Sequence, residues 1–305
     1  MRRGLTLGVG VVAALFVVSG AQGSSTAAVA RNGLIAFDHG SQIYTMTTSS
    51  SDVRPITTGS RASFEPSFSP DGRQIVFVRA APNRNTDLWT MDANGSHQRR
   101  LTWTKRISEE SPVWSPDGKQ IAFDGGRGPS RGIWIMNRDG SGRRLLGAGV
   151  GDPRWSPDGT SIAFVSAAGP ISVIPAAGGQ TTTLDPGQDD AGFNWTPDGR
   201  IVFARWVRVR PHFNGIQTDL FVMDADGGNV HRITTTPGFD EDGPVWAPGG
   251  TKILFAAQNN GMGRYLGGPG IGLYTLNTSG TNRRELTHGT TFESNYFDPS
   301  WQPLR

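Results

Sequence analysis

Six carboxylates stand just ahead of a recurring aromatic residue: Glu65, Glu110, Asp152, Asp190, Asp242 and Asp298. Glu65, Asp152 and Asp298 lie three residues before Phe68, Trp155 and Trp301, Glu110 and Asp242 four before Trp114 and Trp246, and Asp190 five before Trp195. Hard oxygen donors suit a hard cation such as Ca2+. Like charges gathered at one opening also focus a negative potential, which a bound cation, a basic peptide or water relieves. The local alternative is that each acid caps its own loop by accepting backbone N–H bonds. The choice depends on whether the fold brings positions spread along the whole chain to one place.

The aromatic residue opens a five-residue unit with copies at Phe68 (FSPDG), Trp114 (WSPDG), Trp155 (WSPDG), Trp195 (WTPDG), Trp246 (WAPGG) and Trp301 (WQPLR). Successive starts are 46, 41, 40, 51 and 55 residues apart, a period that marks repeated supersecondary units. Pro presets φ, Asp accepts nearby backbone bonds and Gly takes the positive φ that closes the corner. Around each corner the pattern predicts four short strands. In the copy at Trp114 these are Pro112 to Trp114, Gln120 to Phe123, Gly132 to Met136 and Arg143 to Leu146. Residues Leu34 to Asp38, Gln42 to Met46 and Arg54 to Thr57 supply a second, third and fourth strand with no first, and Asp298 to Trp301 a first with nothing after it. Joined, they complete a sixth blade. The expected fold is an all-β, six-bladed propeller of four-stranded antiparallel blades, closed by pairing the C-terminal strand with the N-terminal ones, which leaves no open array edge.

Composition narrows the chemistry. Cys is 0, which excludes disulfides, thiolate metal sites and cysteine nucleophiles. Five His are scattered at 39, 97, 212, 231 and 288, and there is no G-x-S-x-G, H-E-x-x-H or phosphate loop, so no catalytic residue is assigned. Arg2 and Arg3, an apolar run from Leu5 to Val18 and small residues to Ala30 read as a secretory signal peptide over residues 1–30, with one propeller domain over 31–305. The run is short for a membrane span. Without Arg2 and Arg3 the net charge falls from +3 to about +1, and no basic stripe remains to bind nucleic acid. Asp71, Asp117, Asp158 and Asp198 sit inside the SPDG corners and read as turn residues. Trp114, Trp155, Trp195, Trp246 and Trp301 read as wedges between blades.

The WSPDG-type unit, the following IAF strand (Ile121, Ile162) and the D-x-x-G turn resemble the propeller of the TolB family over residues 33 to 305. The resemblance implies an exported propeller with calcium in its channel and partner segments received there. It also sets an expectation of a propeller alone: no room before residue 33 for that family's separate α/β domain, and no hydrolase domain after residue 305.

In a four-stranded blade the corners lie on one face, while the loops joining strands two and three share the other face with the loops between blades. The long loops there include Arg205 to Thr218 and Gln258 to Gly270, rich in Arg, aromatic residues and Gly, a composition suited to partner contact. Arg208, Arg210, His212, Phe213, Arg264 and Tyr265 are the expected partner contacts. The reading is an exported, non-enzymatic propeller binding a protein or peptide through its loop face and channel mouth, with Ca2+ as a candidate ligand. The alternative is an extracellular hydrolase or lyase acting on carbohydrate or peptide, with channel carboxylates as acid and base.

Overall fold

The structure, a computed structural model, describes residues 33–48, 52–82, 85–105, 107–126, 131–148, 151–166, 169–184, 190–208, 216–259, 271–287 and 296–303. For residues 191, 216, 259 and 296–298 it describes the backbone alone. The described residues hold 24 strands in six four-stranded antiparallel sheets. In chain order the strands are β1 (Leu34–His39), β2 (Gln42–Thr47) and β3 (Arg54–Pro55); β4 (Ser63–Phe68), β5 (Gln74–Ala80), β6 (Thr86–Asp92) and β7 (Arg99–Arg100); and β8 (Ser108–Trp114), β9 (Gln120–Gly126), β10 (Gly132–Asn137) and β11 (Arg144–Ala148). There follow β12 (Arg154–Trp155), β13 (Ser161–Val165), β14 (Ile171–Pro175) and β15 (Thr182–Thr183); β16 (Asp190–Trp195), β17 (Ile201–Arg208), β18 (Ile216–Met223) and β19 (His231–Arg232); then β20 (Phe239–Trp246), β21 (Lys252–Asn259), β22 (Gly272–Asn277), β23 (Arg284–Glu285) and β24 (Tyr296–Trp301). Blade 1 is ordered β24-β1-β2-β3, with Ile35 opposite Trp301 and His39 opposite Tyr296. Blades 2 to 6 each take four consecutive strands.

Period-two alternation would leave one face of each blade wet, yet the second strands are apolar on both sides because each blade is sandwiched between two others. Phe37, Phe77, Phe123, Phe164, Phe203 and Phe255, the aromatic ends of the six IAF-type runs, are almost wholly buried. The tryptophans fill the seams. Trp114 packs with Val76, Val78 and Leu88 of blade 2 and with Ile121 and Phe123 of blade 3, and Trp155 joins Ile133 and Ile135 of blade 3 to Ile162 and Phe164 of blade 4.

The corners also hold the seams. In the SPDG turns the Ser or Thr hydroxyl donates to the Asp two residues on, at 2.6 Å for Ser69–Asp71 and 2.7 Å for Ser115–Asp117. That bond and the Lys119 amide hold Asp117 down at about 2. The D-x-x-G glycines serve between blades. A Cβ on Gly95, Gly140 or Gly280 would sit 2.4, 2.7 or 2.1 Å from the carbonyl oxygen of Ile56, Leu101 or Ile233, each at the outer edge of the preceding blade. All three have positive φ, so turn geometry and blade spacing both demand glycine there.

Candidate functional site

The innermost strands bulge where the acids lie. Register shifts fall between Phe64 and Ser67, Glu110 and Val113, Ala191 and Phe193, and Asp242 and Val245. Glu65, Ser111, Asp152 and Gly243, each three residues before the seam aromatic, share a φ near +50° (52, 51, 49 and 57°). A proline follows each: Pro66, Pro112, Pro153 and Pro244. These strands have no partner on their channel side, so a missing N–H costs nothing there. The bulges re-aim the following backbone, and a central cavity of about 180 Å3 results. Its walls include Glu65, Ser67, Ser111, Asp152, Arg154, Asn194, Gly243 and Ser300.

The structure sorts the sequence-predicted acids into three groups. Glu65 and Asp152 line the cavity and meet at Ser111 between them: the Ser111 amide donates to Glu65 Oε2 at 2.6 Å and its hydroxyl to Asp152 Oδ1 at 2.9 Å. Each cap therefore crosses a blade seam, where the sequence suggested an acid capping its own loop. Asp242 accepts the Gly243 amide at 2.7 Å. It is exposed on one side, in the second cavity described below, yet crowded by protein on the other, and this desolvation, with the charges of Asp152 and Asp240, raises its carboxyl. Gly192 completes this arc, since a Cβ on it would lie 2.2 Å from Asp242 Oδ1. Two acids are engaged by arginines. Glu110 pairs with Arg131 at 3.1 Å, and buried Asp190 is held by both prongs of Arg205 at 2.7 and 3.0 Å. The side chain of Asp298 lies outside the described residues, as do Arg210, His212, Phe213, Arg264 and Tyr265; Arg208 is exposed at the end of β17. Among the described residues no three acidic or imidazole groups gather closely enough to hold a metal ion, so Glu65 and Asp152 do not by themselves form a Ca2+ cage.

Sequence reasoning missed the deeper charges. Glu109, fully buried, accepts from Thr102 of the preceding blade and from Arg143, and Arg100 pairs with buried Asp87 at 2.6 Å. The same set recurs as Glu241 with Thr234 and Arg283, and Arg232 with Asp219. Asp87, Arg100, Thr102 and Glu109 each lie 132 residues before their counterparts, a repeat of R-x-T-x6-E visible in the sequence as Arg100 to Glu109 and Arg232 to Glu241. Burial is the leading influence on both glutamates and raises them. The cations are all arginine because the guanidinium pairs with a carboxylate while stacking on a ring: Arg283 lies 4.2 and 4.3 Å from the Phe239 and Tyr274 centroids. Only 3 of 29 basic residues are Lys, as that geometry favours. These networks bind blade 2 to 3 and blade 5 to 6.

The loop-face rim is uneven. The strands β17, β18, β20 and β21 each run 8 residues, longer than any others described, and raise the rim over blades 5 and 6. A second cavity of about 230 Å3 opens there between Trp206, Asp240, Asp242 and Gln258. Among the described residues no helix is long and apolar enough to cross a membrane.

Comparison with known proteins agrees with this geometry. TolB from Acinetobacter baumannii superposes with a TM-score of 0.70 at 20% identity, over 89% of this chain and 67% of that one. An oligogalacturonate lyase solved in complex with manganese gives 0.54 at 15% identity, over 85% and 74%. In sequence, dipeptidyl-peptidase 5 of Porphyromonas gingivalis is 27% identical over 255 residues, 78% of this chain. The chain spans about a third or less of the length of the curated relatives it matches, 35% of that peptidase and 12% of another. The family model described as the TolB beta propeller domain matches residues 35–219, and by that match and by its six blades the chain belongs to the TolB β-propeller family.

Proposed function

We propose that the chain is an exported, non-enzymatic propeller that binds a protein or peptide through the loop face and the channel mouth. Glu65 and Asp152 on the wall of the cavity, with Asp242 near enough to feel the charge of Asp152 and lining the adjoining second cavity, carry this reading. Carboxylates on neighbouring inner strands attract a basic segment, and the raised rim of blades 5 and 6, ending in exposed Arg208, widens the contact surface beside them. Residues 1–30 act as the export signal. Affinity capture with the full chain from its own cell envelope tests the reading: recovery of one specific protein supports it, and recovery of none overturns it. Calorimetric titration with Ca2+ after chelation decides the ion. Heat together with a raised melting temperature indicates a calcium site, and the absence of both removes calcium.

One observation favours the hydrolase or lyase alternative. Desolvation raises the Asp242 carboxyl, with the charge of Asp152 adding to the shift, and a carboxyl raised in this way is the kind of group that general acid catalysis uses. Turnover of peptide or uronide substrates that vanishes in Asp242→Asn would establish it.

A further inference from the structure

The rim of blades 5 and 6 departs from the repeat at one position. Five residues after the isoleucine that opens each second-strand run stand Gly40, Ala80, Gly126 and Ala167 in blades 1 to 4, but Trp206 in blade 5 and Gln258 in blade 6. Trp206 is 47% exposed, a large aromatic left in water near the end of a lengthened strand. Strand pairing brings it to two carboxylates. Trp206 lies opposite Thr218 on β18, the Thr218 amide donates to Asp240 Oδ1 at 3.2 Å, and Asp240 lies opposite Gln258 on β21. Asp240 and Asp242, two residues apart on β20 ahead of its bulge, face the same side of the strand. Trp206, Asp240, Asp242 and Gln258 line the second cavity, with Ile271 and Pro299 on its apolar wall. Among the described residues no lysine or arginine lines it, and the charges acting on Asp242 are those of Asp152 and Asp240, both of its own sign. An aromatic and apolar wall that ends in two like charges is complementary to a cation on an aliphatic stem. At about 230 Å3 the space is below the roughly 300 Å3 at which pockets begin to admit whole drug-sized ligands, so it suits one side chain.

We propose that this pocket takes one lysine or arginine side chain of the bound protein or peptide, its stem along Trp206, Ile271 and Pro299 and its charged head between Asp240 and Asp242. This role rests on the reading that the loop face and channel mouth bind a protein or peptide, and it specifies the side chain recognised at blades 5 and 6.

The test is calorimetric titration of the full chain with N-acetyl-Ala-Arg-Ala-amide and N-acetyl-Ala-Lys-Ala-amide, whose side chain is their only charge. Peptides with citrulline or norleucine at the centre keep the shape without the charge, and maltotriose offers a neutral sugar that an exposed tryptophan could stack on. The expected result is saturable binding of the two charged peptides, at least about tenfold weaker for the neutral ones. Trp206→Ala should weaken the charged peptides, and Asp242→Asn should bring the arginine peptide toward the citrulline value. Trp206 is exposed, and the amide oxygen of Asp242→Asn still accepts the Gly243 N–H, so both variants should fold, which their melting curves verify. If Asp242→Asn fails to fold, Asp240→Asn takes its place. Absence of binding at millimolar peptide, equal affinity for charged and neutral peptides, or preference for maltotriose overturns the proposal. Failure here is distinct from failure of affinity capture: a partner captured in full by Trp206→Ala would leave the binding reading standing and overturn this pocket.

Discussion

Glu109 shows how a single buried charge depends on its partner. Arg143→Ala would leave Glu109 fully buried with the Thr102 hydroxyl but no cation beside it, and should cost about 3–5 kcal/mol in denaturant unfolding. Arg283→Ala should do the same to Glu241, and a cost under about 1 kcal/mol would mean the pairs are dispensable. The two kinds of acid answer pH with opposite signs. For Glu109 and Glu241 burial raises the folded value, so the fold takes up protons more readily than the unfolded chain and their contribution improves as pH falls through that value. For Asp117, Asp158 and Asp198 the adjacent hydroxyl lowers the folded value, so their contribution is present above the unfolded value near ~3.9 and is lost as pH falls toward the lowered values, about 2 for Asp117. Circular dichroism against pH should therefore show the fold intact through pH 5 and its loss beginning below about pH 4. A transition between pH 7 and 5 would contradict these assignments. At this scale the sequence was legible where chemistry is local: Asp71 and Asp117 are turn residues, as their SPDG setting implies. It was not legible where the partner is distant. Nothing near Asp190 or Glu110 in the chain distinguishes them from Asp152, because Arg205 and Arg131 approach only when hairpins fold back.

Among the elements, the corner and the bulge carry the design. Gly280→Ala should destabilise more than an ordinary glycine replacement, by about 1–3 kcal/mol, because the new Cβ would press on the Ile233 carbonyl at a positive φ. Gly250→Ala is the control, with positive φ but nothing within 4 Å. Equal melting temperatures for the two would show that turn strain alone matters. Strand positions were legible from the repeat: the expected second strand from Gln120 to Phe123 and the observed β9 differ only in running on to Gly126. The bulges were not, because a serine, two acids and a glycine occupy the same positive-φ place in different blades. That place is set by where the strand leaves its partner, a property of the pair that no single residue type announces.

At the scale of the molecule, the buried networks recur 132 residues apart, so blades 2 and 3 repeat as blades 5 and 6, on opposite sides of the ring. The two halves differ at the rim, where lengthened β17, β18, β20 and β21 stand on one side alone. The common seams carry stability, and on the proposed reading the divergent rim of the loop face carries recognition. Deleting residues 296–305 removes β24, the inner strand of blade 1, and should abolish the cooperative melting transition; a truncated chain that melts like the whole would refute closure through that strand. The most direct test of the account as a whole is amide hydrogen exchange on the chain with and without the protein it captures. Protection is expected at the loop-face ends of β17, β18, β20 and β21 and at Ser111 and Gly243 around the mouth, with the SPDG corners unchanged. Protection centred on the corners, with the mouth exchanging freely, would contradict it.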